Sequence, residues 1–222
     1  MINFNLPKDF DKKISGSNYG KMINASYFSK TTGKDRKCII ILPRNYDVNK
    51  KYPVLYLLHG IGGTEKEWLN GNPQYILGNL INQGEAKEML VVIPNVRAMA
   101  NDSVPSDIFS DKNINAFDNF INDLKEDLMP YIEKNYSVLT DRDNTAIAGL
   151  SMGGREALYI GFKMAKRFSY VGAFSPAPGL LPHKKLNYKG QFMEDEFKVD
   201  TKDAHKFIMI CNGNADKVVG DM

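Results

Sequence analysis

The chain has 222 residues, of which 43% are hydrophobic and 25% are charged, and its formal net charge is +3. This length and composition fit one globular domain with a substantial core, so we predict a single domain over residues 1–222. The small net charge argues against a nucleic-acid partner, and no apolar run has the length of a membrane helix. The N-terminus lacks the apolar region of a signal peptide, which leaves an intracellular protein or a domain cut from a larger secreted chain.

The two cysteines, Cys38 and Cys211, lie in separate apolar, strand-like runs. We therefore expect buried thiols and neither a disulfide nor a metal pair. No group of cysteines and histidines has the spacing of metal ligands. The sequence thus predicts no metal and no cofactor, and it leaves the oligomeric state open.

Short apolar runs alternate with helical patterns along the chain. The runs that predict strands cover residues 38–42, 54–58, 89–93, 146–148, 170–174 and 207–211. The later runs are continuously apolar, as in parallel strands buried on both faces. Helical spacing of apolar residues predicts helices over 74–83, over 117–135 with a kink at Pro130, and over 153–166. The alternation predicts an α/β fold with a mainly parallel, doubly wound sheet.

The sequence GLSMGG at residues 149–154 lies between an apolar run and a helical pattern. A strand, a sharp turn and a helix with a serine at the apex form the nucleophile elbow of serine hydrolases. Such a turn exposes the serine hydroxyl, and the helix N-terminus behind it favours developing negative charge. A chance match is the alternative, but the strand–helix context argues against it. We therefore predict Ser151 as a nucleophile.

Ligands of doubly wound sheets bind beyond the carboxyl ends of the strands, so the loops after residues 58, 94, 148, 175 and 211 are expected to line the site. The first of these loops reads HGIGG at residues 59–63. Acyl transfer needs backbone N–H groups aimed at the oxyanion, and the predicted donors are Ile61 and Met152. An ordinary glycine turn is the alternative. Trp68, which follows, either forms a wall of an aromatic acyl pocket or simply packs.

The loop after the last apolar run reads NGNAD at residues 212–216. In nucleophile-elbow hydrolases the triad order is serine, acid, histidine. Asp216 lies downstream of Ser151 and just past a strand, where a carboxylate would hold the tautomer of a catalytic histidine. We predict Asp216 as the triad acid; Asp221 is the weaker candidate, and a solvated turn aspartate is the alternative.

The general base must be a histidine, but none of the three histidines follows Asp216. His205 precedes the last strand, about 20 Å of strand away from the serine, and is expected at the opposite edge. His59 is expected to brace the glycine loop. His183 is on the correct edge but on the wrong side of Asp216 in the sequence, and it stays a minor candidate.

These stretches resemble the feruloyl esterase domains attached to bacterial xylanases, in the esterase-D-like branch of α/β-hydrolases (carbohydrate esterase family one). The resemblance rests on LLHGIGG at 57–63 with Trp68, PYIE at 130–133, NYS at 135–137, TDR at 140–142, AIAGLSMGG at 146–154 and NGNAD at 212–216. It implies the α/β-hydrolase fold and a serine carboxylesterase that hydrolyses feruloyl or related esters of plant cell-wall xylan. By the same resemblance Ser151 is the nucleophile, Asp216 the triad acid, and Ile61 and Met152 the oxyanion donors.

In the family that this chain resembles, the catalytic histidine lies in a Gly-Gly-His-type stretch well after the aspartate. The resemblance therefore implies that the C-terminal part is missing here, and that the domain is secreted within a larger modular enzyme. Strand 207–211 would then be an exposed apolar edge. The alternatives are an acetyl-xylan or other small acyl esterase, an S-formylglutathione hydrolase, an acyltransferase, or a non-catalytic binding module that has lost its histidine.

Overall fold

The computed structural model describes residues 9–182, 184 and 189–216, and its centre is a seven-stranded sheet. The strands are β1 (Met22–Ser29), β2 (Lys34–Ile41), β3 (Val54–Leu58), β4 (Leu90–Pro94), β5 (Thr145–Leu150), β6 (Tyr170–Phe174) and β7 (Phe207–Cys211). Their spatial order is β1-β2-β4-β3-β5-β6-β7. Neighbours from β4 to β7 are parallel, whereas β2 pairs antiparallel with β1 and β4. The mainly parallel α/β sheet is therefore confirmed.

The helices that pack around the sheet are α1 (Pro73–Gln83), α2 (Asp111–Asp118), α3 (Phe120–Asp123), α4 (Met129–Asn135) and α5 (Met152–Lys163). The long helix predicted over 117–135 is instead a succession of shorter pieces, with a π-helical turn at Leu124–Leu128 between α3 and α4. Pro130 supplies a reason, because proline has no N–H for the carbonyl four residues earlier, and a wider turn accommodates that loss. No helix within the described ranges is long and apolar enough to span a membrane.

Alternate residues of the central strands build two hydrophobic clusters on opposite faces of the sheet. Successive strand side chains point to opposite faces, so a strand with apolar residues throughout is buried on both. On one face, Ile40, Tyr56, Val92 and Ile147 pack with the helical residues Phe117, Leu128 and Ile160. On the other face, Ile39, Leu57, Val91 and Ile93 pack with Trp68 and Leu77. The sheet is therefore doubly wound.

Strand β7 is much less covered than the other strands. Phe207 is 56% exposed and Ile210 is 59% exposed. Cys38 is buried as predicted, but Cys211 is exposed, so the prediction of a buried thiol there is wrong. An apolar run predicts a strand, but it does not show whether other parts of the chain bury that strand. Strand β7 pairs with β6 along one edge, and no other strand of the described chain pairs with it. The expected exposed apolar strand is observed; its cause stays a prediction.

The register of the parallel strands brings several loops to one edge of the sheet. Leu58 is level with Gly149, Leu150 with Phe174, and Phe174 with Cys211. The loops that follow β3, β5, β6 and β7 therefore start side by side. These are four of the five loops that the sequence places around the site.

At this edge the start of α5 passes very close to the end of β3. A β-carbon built on Gly153 would lie 2.5 Å from the carbonyl oxygens of both Leu58 and His59. Such contacts involve backbone on both sides, so neither element can yield without moving the sheet edge.

We expect Gly153→Ala to lower the free energy of unfolding by about 3 kcal/mol, because overpacking against rigid backbone is costly. Gly71→Ala is the matched control, since a β-carbon there meets no atom within 4 Å, and it should change stability by less than about 1 kcal/mol. Urea unfolding of both variants measures the difference. Equal stability of the two variants would contradict the close approach.

Candidate active site

Ser151 occupies the apex of the turn between β5 and α5. Its backbone has φ 55° and ψ −119°, a conformation that non-glycine residues rarely adopt. Three hydrogen bonds hold it there. The Ser151 N–H donates to the Phe174 carbonyl over 2.9 Å, and the Ser151 carbonyl accepts from the N–H groups of Ala177 at 2.9 Å and Arg155 at 3.0 Å. The surrounding strands and loops thus impose the strained turn that the sequence predicts for a nucleophile elbow.

The glycines of the GLSMGG segment allow this turn to be so tight. A β-carbon on Gly149 would lie 2.2 Å from the carbonyl oxygen of Gly153, and one on Gly154 would lie 3.0 Å from the carbonyl oxygen of Gly149. The strand before the serine and the helix after it therefore nearly touch. Because α5 begins at Met152, the positive end of the helix dipole lies next to the serine, where it favours an anion.

The glycine loop after β3 lies directly beside the serine. A β-carbon on Gly60 would be 3.4 Å from the Ser151 β-carbon. The Gly60 N–H donates to the Glu67 carboxylate over 2.6 Å, and the Gly60 carbonyl accepts from the N–H of Gly63 over 3.0 Å. Within the described part of the chain, the N–H groups of Ile61 and Met152 have no hydrogen-bond acceptor. Both remain available for a ligand oxygen, as their predicted role requires; that role stays a prediction.

His59 is completely buried and uses both ring nitrogens inside the protein. Its Nε2 accepts the N–H of Val96 over 2.8 Å, which leaves the proton on Nδ1, and Nδ1 donates to the Gly60 carbonyl over 2.7 Å. Burial lowers the pKa of His59 to about 4. A neutral imidazole with both nitrogens occupied does not act as a general base, so His59 braces the glycine loop.

His205 lies far from the serine. Its Nε2 is 3.0 Å from the carbonyl of Gly161 in α5, and its ring packs on Phe162 with 4.9 Å between ring centroids. Since Phe207 is level with Tyr170 at the start of the parallel strands, His205 lies at the opposite edge, about 20 Å of strand from Ser151. His183, like Asp221, lies outside the described residues.

Asp216 follows β7 at the same edge as the serine. Because Cys211 is level with Phe174 and Phe174 with Leu150, two strand spacings, or about 10 Å, separate the ends of β7 and β5. Asp216 is half-buried, and its N–H donates to the Gly213 carbonyl over 3.1 Å. The acid role of Asp216 stays a prediction.

Trp68 is anchored against the end of β3. Its indole N–H donates to the Leu58 carbonyl over 2.9 Å, and its ring meets Phe174 edge-on with 6.0 Å between centroids. These contacts show that the half-buried ring packs against the ends of β3 and β6. A role as a wall of an acyl pocket stays a prediction.

Sequence reasoning missed the buried polar residues that support this edge. Arg97 lies in the loop after β4 and is completely buried; its Nη2 donates to the Ile61 carbonyl over 2.8 Å. In α5, Glu156 is completely buried beside Arg155, which donates to it over 2.8 Å, and burial raises the pKa of Glu156 to about 7. The signal for Arg97 was its position just after a buried strand at the predicted site edge. Within the described residues, no group of acidic, histidine or cysteine side chains could hold a metal ion.

The lowered pKa of His59 predicts a loss of stability in mild acid. The unfolded chain binds a proton at the ordinary histidine pKa of 6.5, and the folded chain binds it only near 4. The stability that His59 contributes is therefore complete above pH 6.5 and is lost as the pH falls towards 4, by roughly 3 kcal/mol. Urea unfolding at pH 7, 5.5 and 4.5 measures this slope. The variant His59→Gln does not titrate, so its slope should be clearly smaller; parallel profiles would contradict the assignment.

Comparison with known proteins places this geometry in context. The Esterase family model matches residues 29–221. The full chain is 41% identical to the CE1 ferulic acid esterase from Anaeromyces mucronatus, solved in complex with ferulic acid, with a TM-score of 0.91 and 82% of that chain covered. The endo-1,4-beta-xylanase/feruloyl esterase of Xylanibacter ruminicola is 32% identical over 221 residues, or 96% of this chain.

The chain spans only 27% of the length of the Xylanibacter ruminicola relative. A more distant likeness, to S-formylglutathione hydrolase from Staphylococcus aureus, has 21% identity and a TM-score of 0.52, and it covers 71% of this chain and 57% of that chain. This likeness shows the shared fold alone. The family match over residues 29–221, together with the full-length likeness to a ferulic acid esterase, leads to one conclusion: this chain belongs to the esterase family and has the α/β-hydrolase fold, as its resemblance to feruloyl esterase domains implied.

Proposed function

We propose that this chain is the esterase domain of a serine carboxylesterase that cleaves hydroxycinnamoyl esters, feruloyl esters above all, of plant cell-wall xylan. The observation that carries the proposal is the strained apex at Ser151, with φ 55°, directly beside the glycine loop. Backbone strain of this kind persists only where the surrounding structure imposes it, and it is concentrated at functional sites. The turn exposes one hydroxyl to a position where two backbone N–H groups can converge.

The reaction follows from the roles of these groups. The Ser151 hydroxyl attacks the ester carbonyl, and a histidine takes its proton. The N–H groups of Ile61 and Met152 stabilise the oxyanion of the tetrahedral intermediate. The intermediate collapses, the alcohol leaves with the proton from the histidine, and water then releases the acid from the acyl-enzyme by the same steps. Asp216 holds the histidine in the required tautomer.

The proposed substrate class follows from the activity of two related proteins. A ferulic acid esterase is 41% identical over this whole chain, and a xylanase/feruloyl esterase is 32% identical. Methyl ferulate and feruloylated arabinoxylan fragments are therefore the first substrates to assay, with acetylated xylan as the comparison. A preference for acetylated xylan would replace the feruloyl assignment but keep the esterase.

Ser151→Ala should lower kcat by roughly 10⁴–10⁶, because the covalent intermediate cannot form. Ferulate should still bind, since the change removes one oxygen atom. Ser175→Ala is the matched control at the same edge: Ser175 is also at a positive φ, of 41°, and should retain activity within a few-fold. Methyl ferulate hydrolysis measures both. If Ser151→Ala kept a tenth of the activity, another nucleophile would be at work.

The identity of the general base can be tested by comparing the activities of several forms of the chain. We infer that the histidine belongs to a segment that follows Asp216, as the family resemblance implies, because both ring nitrogens of His59 are bonded inside the protein and His205 lies beside α5 at the opposite edge of the sheet. The 222-residue chain should then hydrolyse methyl ferulate slowly. A chain extended by the downstream coding sequence should be fast, with a rate that rises through about pH 6–7 as the histidine loses its proton.

In the active form, Asp216→Asn should lower kcat by around 10⁴ through the wrong histidine tautomer, and Asp221→Asn should have a much smaller effect. Full activity of a monomeric 222-residue chain that His183→Asn abolishes would make His183 the base instead. A fluorophosphonate that fails to label Ser151 even in the extended chain would favour the non-catalytic binding module.

A further inference from the structure

The loop that carries the Ile61 N–H is held from behind by a buried guanidinium. Arg97 is completely buried. Its Nη2 donates to the Ile61 carbonyl over 2.8 Å, its Nη1 donates to the Asp102 carbonyl over 3.2 Å, and its Nε donates to the Asn113 side-chain oxygen over 2.5 Å. The guanidinium also lies 5.4 Å from the centre of the Phe117 ring. All its strong contacts are with neutral groups.

This charge has no direct counter-ion within the described residues. No carboxylate oxygen there lies within 4 Å of the Arg97 guanidinium, and the nearby Asp102 carboxylate is 3.6 Å from Arg36 instead. Burial lowers the pKa of Arg97, but a guanidinium stays protonated in a protein. Asp102 stabilises this charge from a distance, but its direct hydrogen bonds are all to neutral groups. Burying a charge without a direct ion pair costs stability, so a role for this charge at the edge of the site is worth testing.

The contacts of Arg97 complete the fixation of both peptide groups that flank Ile61. The Gly60–Ile61 peptide is held through the Gly60 carbonyl, which accepts from His59 at 2.7 Å and from the Gly63 N–H at 3.0 Å. The Ile61–Gly62 peptide is held through the Ile61 carbonyl by Arg97. A planar trans peptide directs its N–H away from its carbonyl, so the anchored Gly60 carbonyl sets the direction of the Ile61 N–H. The anchored Ile61 carbonyl holds the next peptide and so prevents the loop from turning about Ile61.

We propose that Arg97 is a positioning residue for the oxyanion hole: it fixes the Ile61–Gly62 peptide and adds a positive potential behind the loop that receives the oxyanion. The proposal rests on the proposed function, since it assigns the Ile61 N–H to the oxyanion. Charge develops on that oxygen only in the transition state, so the effect of Arg97 belongs in kcat and not in substrate binding.

The test compares two buried arginines, of which only Arg97 contacts the glycine loop. Arg36 is also completely buried, and it donates to the carbonyls of Arg97 and Asn95. It pairs with Asp123 at 3.1 Å and does not contact the glycine loop. Arg97→Lys and Arg36→Lys keep the charge but lose the planar fork, and Arg97→Met and Arg36→Met lose both. Kinetics with methyl ferulate, in the form of the enzyme that is active, are paired with amide hydrogen exchange of residues 59–68.

Arg97→Met should lower kcat about 10–100-fold with KM within about threefold, and Arg97→Lys should recover part of that loss. The same variants should speed amide exchange in the glycine loop. Arg36→Lys should lose stability but keep kcat per folded molecule within about threefold, and Arg36→Met tests the same point if it folds. Unchanged kcat and exchange in Arg97→Met, or an equal kcat loss in both lysine variants, would overturn the positioning role.

The two readouts separate this inference from the proposed function. If the wild-type protein hydrolyses no ester in any form, the esterase proposal fails, while exchange in the loop still reports whether Arg97 fixes it. In that case unchanged exchange in Arg97→Met overturns the inference as well. If the wild type is active and only KM changes, Arg97 acts on binding and the oxyanion assignment is wrong.

Discussion

The close approach of the nucleophile turn to the end of β3 is the constraint on which the rest of this site depends. Gly153 leaves no room for a β-carbon beside the carbonyls of Leu58 and His59. That contact sets the distance between the start of α5 and the glycine loop, and therefore the distance between the two predicted oxyanion donors. Because the sheet is buried on both faces and its strands are in fixed register, this spacing cannot relax through one loop alone.

Hydrogen bonds with partly or fully buried polar side chains hold the glycine loop that packs against Gly153 in its conformation. His59, Glu67 and Arg97 each hold one group of the glycine loop, and all three interactions use desolvated or partly desolvated side chains. Burying an imidazole and a guanidinium that has no direct carboxylate partner carries a desolvation cost. The arrangement is understandable if the loop must present its N–H groups rigidly to a charge that develops only during reaction.

The sequence predicts the parts of this protein that depend on local pattern. The bounds of β3, β6 and β7 agree with the apolar runs, and the position of Ser151 follows from its flanking strand and helix. Strand β1 was missed because its side chains are mostly exposed or half-buried. Cys211 was wrongly predicted as buried because the burial of a strand depends on segments far away in the sequence. Arg97 was overlooked for the same reason, since the carbonyl that a buried arginine reaches also depends on distant segments.

The predicted nucleophile Ser151 is held more firmly by its surroundings than the predicted acid Asp216. Ser151 follows β5, which lies between β3 and β6. The backbone of Ser151 is hydrogen-bonded to the end of β6 and to the loop that follows it. Asp216 follows β7. Within the described residues this strand pairs only with β6, and most of its side chains are exposed. Local opening is easiest where buried contacts are fewest. Any group that covers β7 and contributes the histidine would therefore order the acid side of the site, whereas the nucleophile and the oxyanion loop are already held in place.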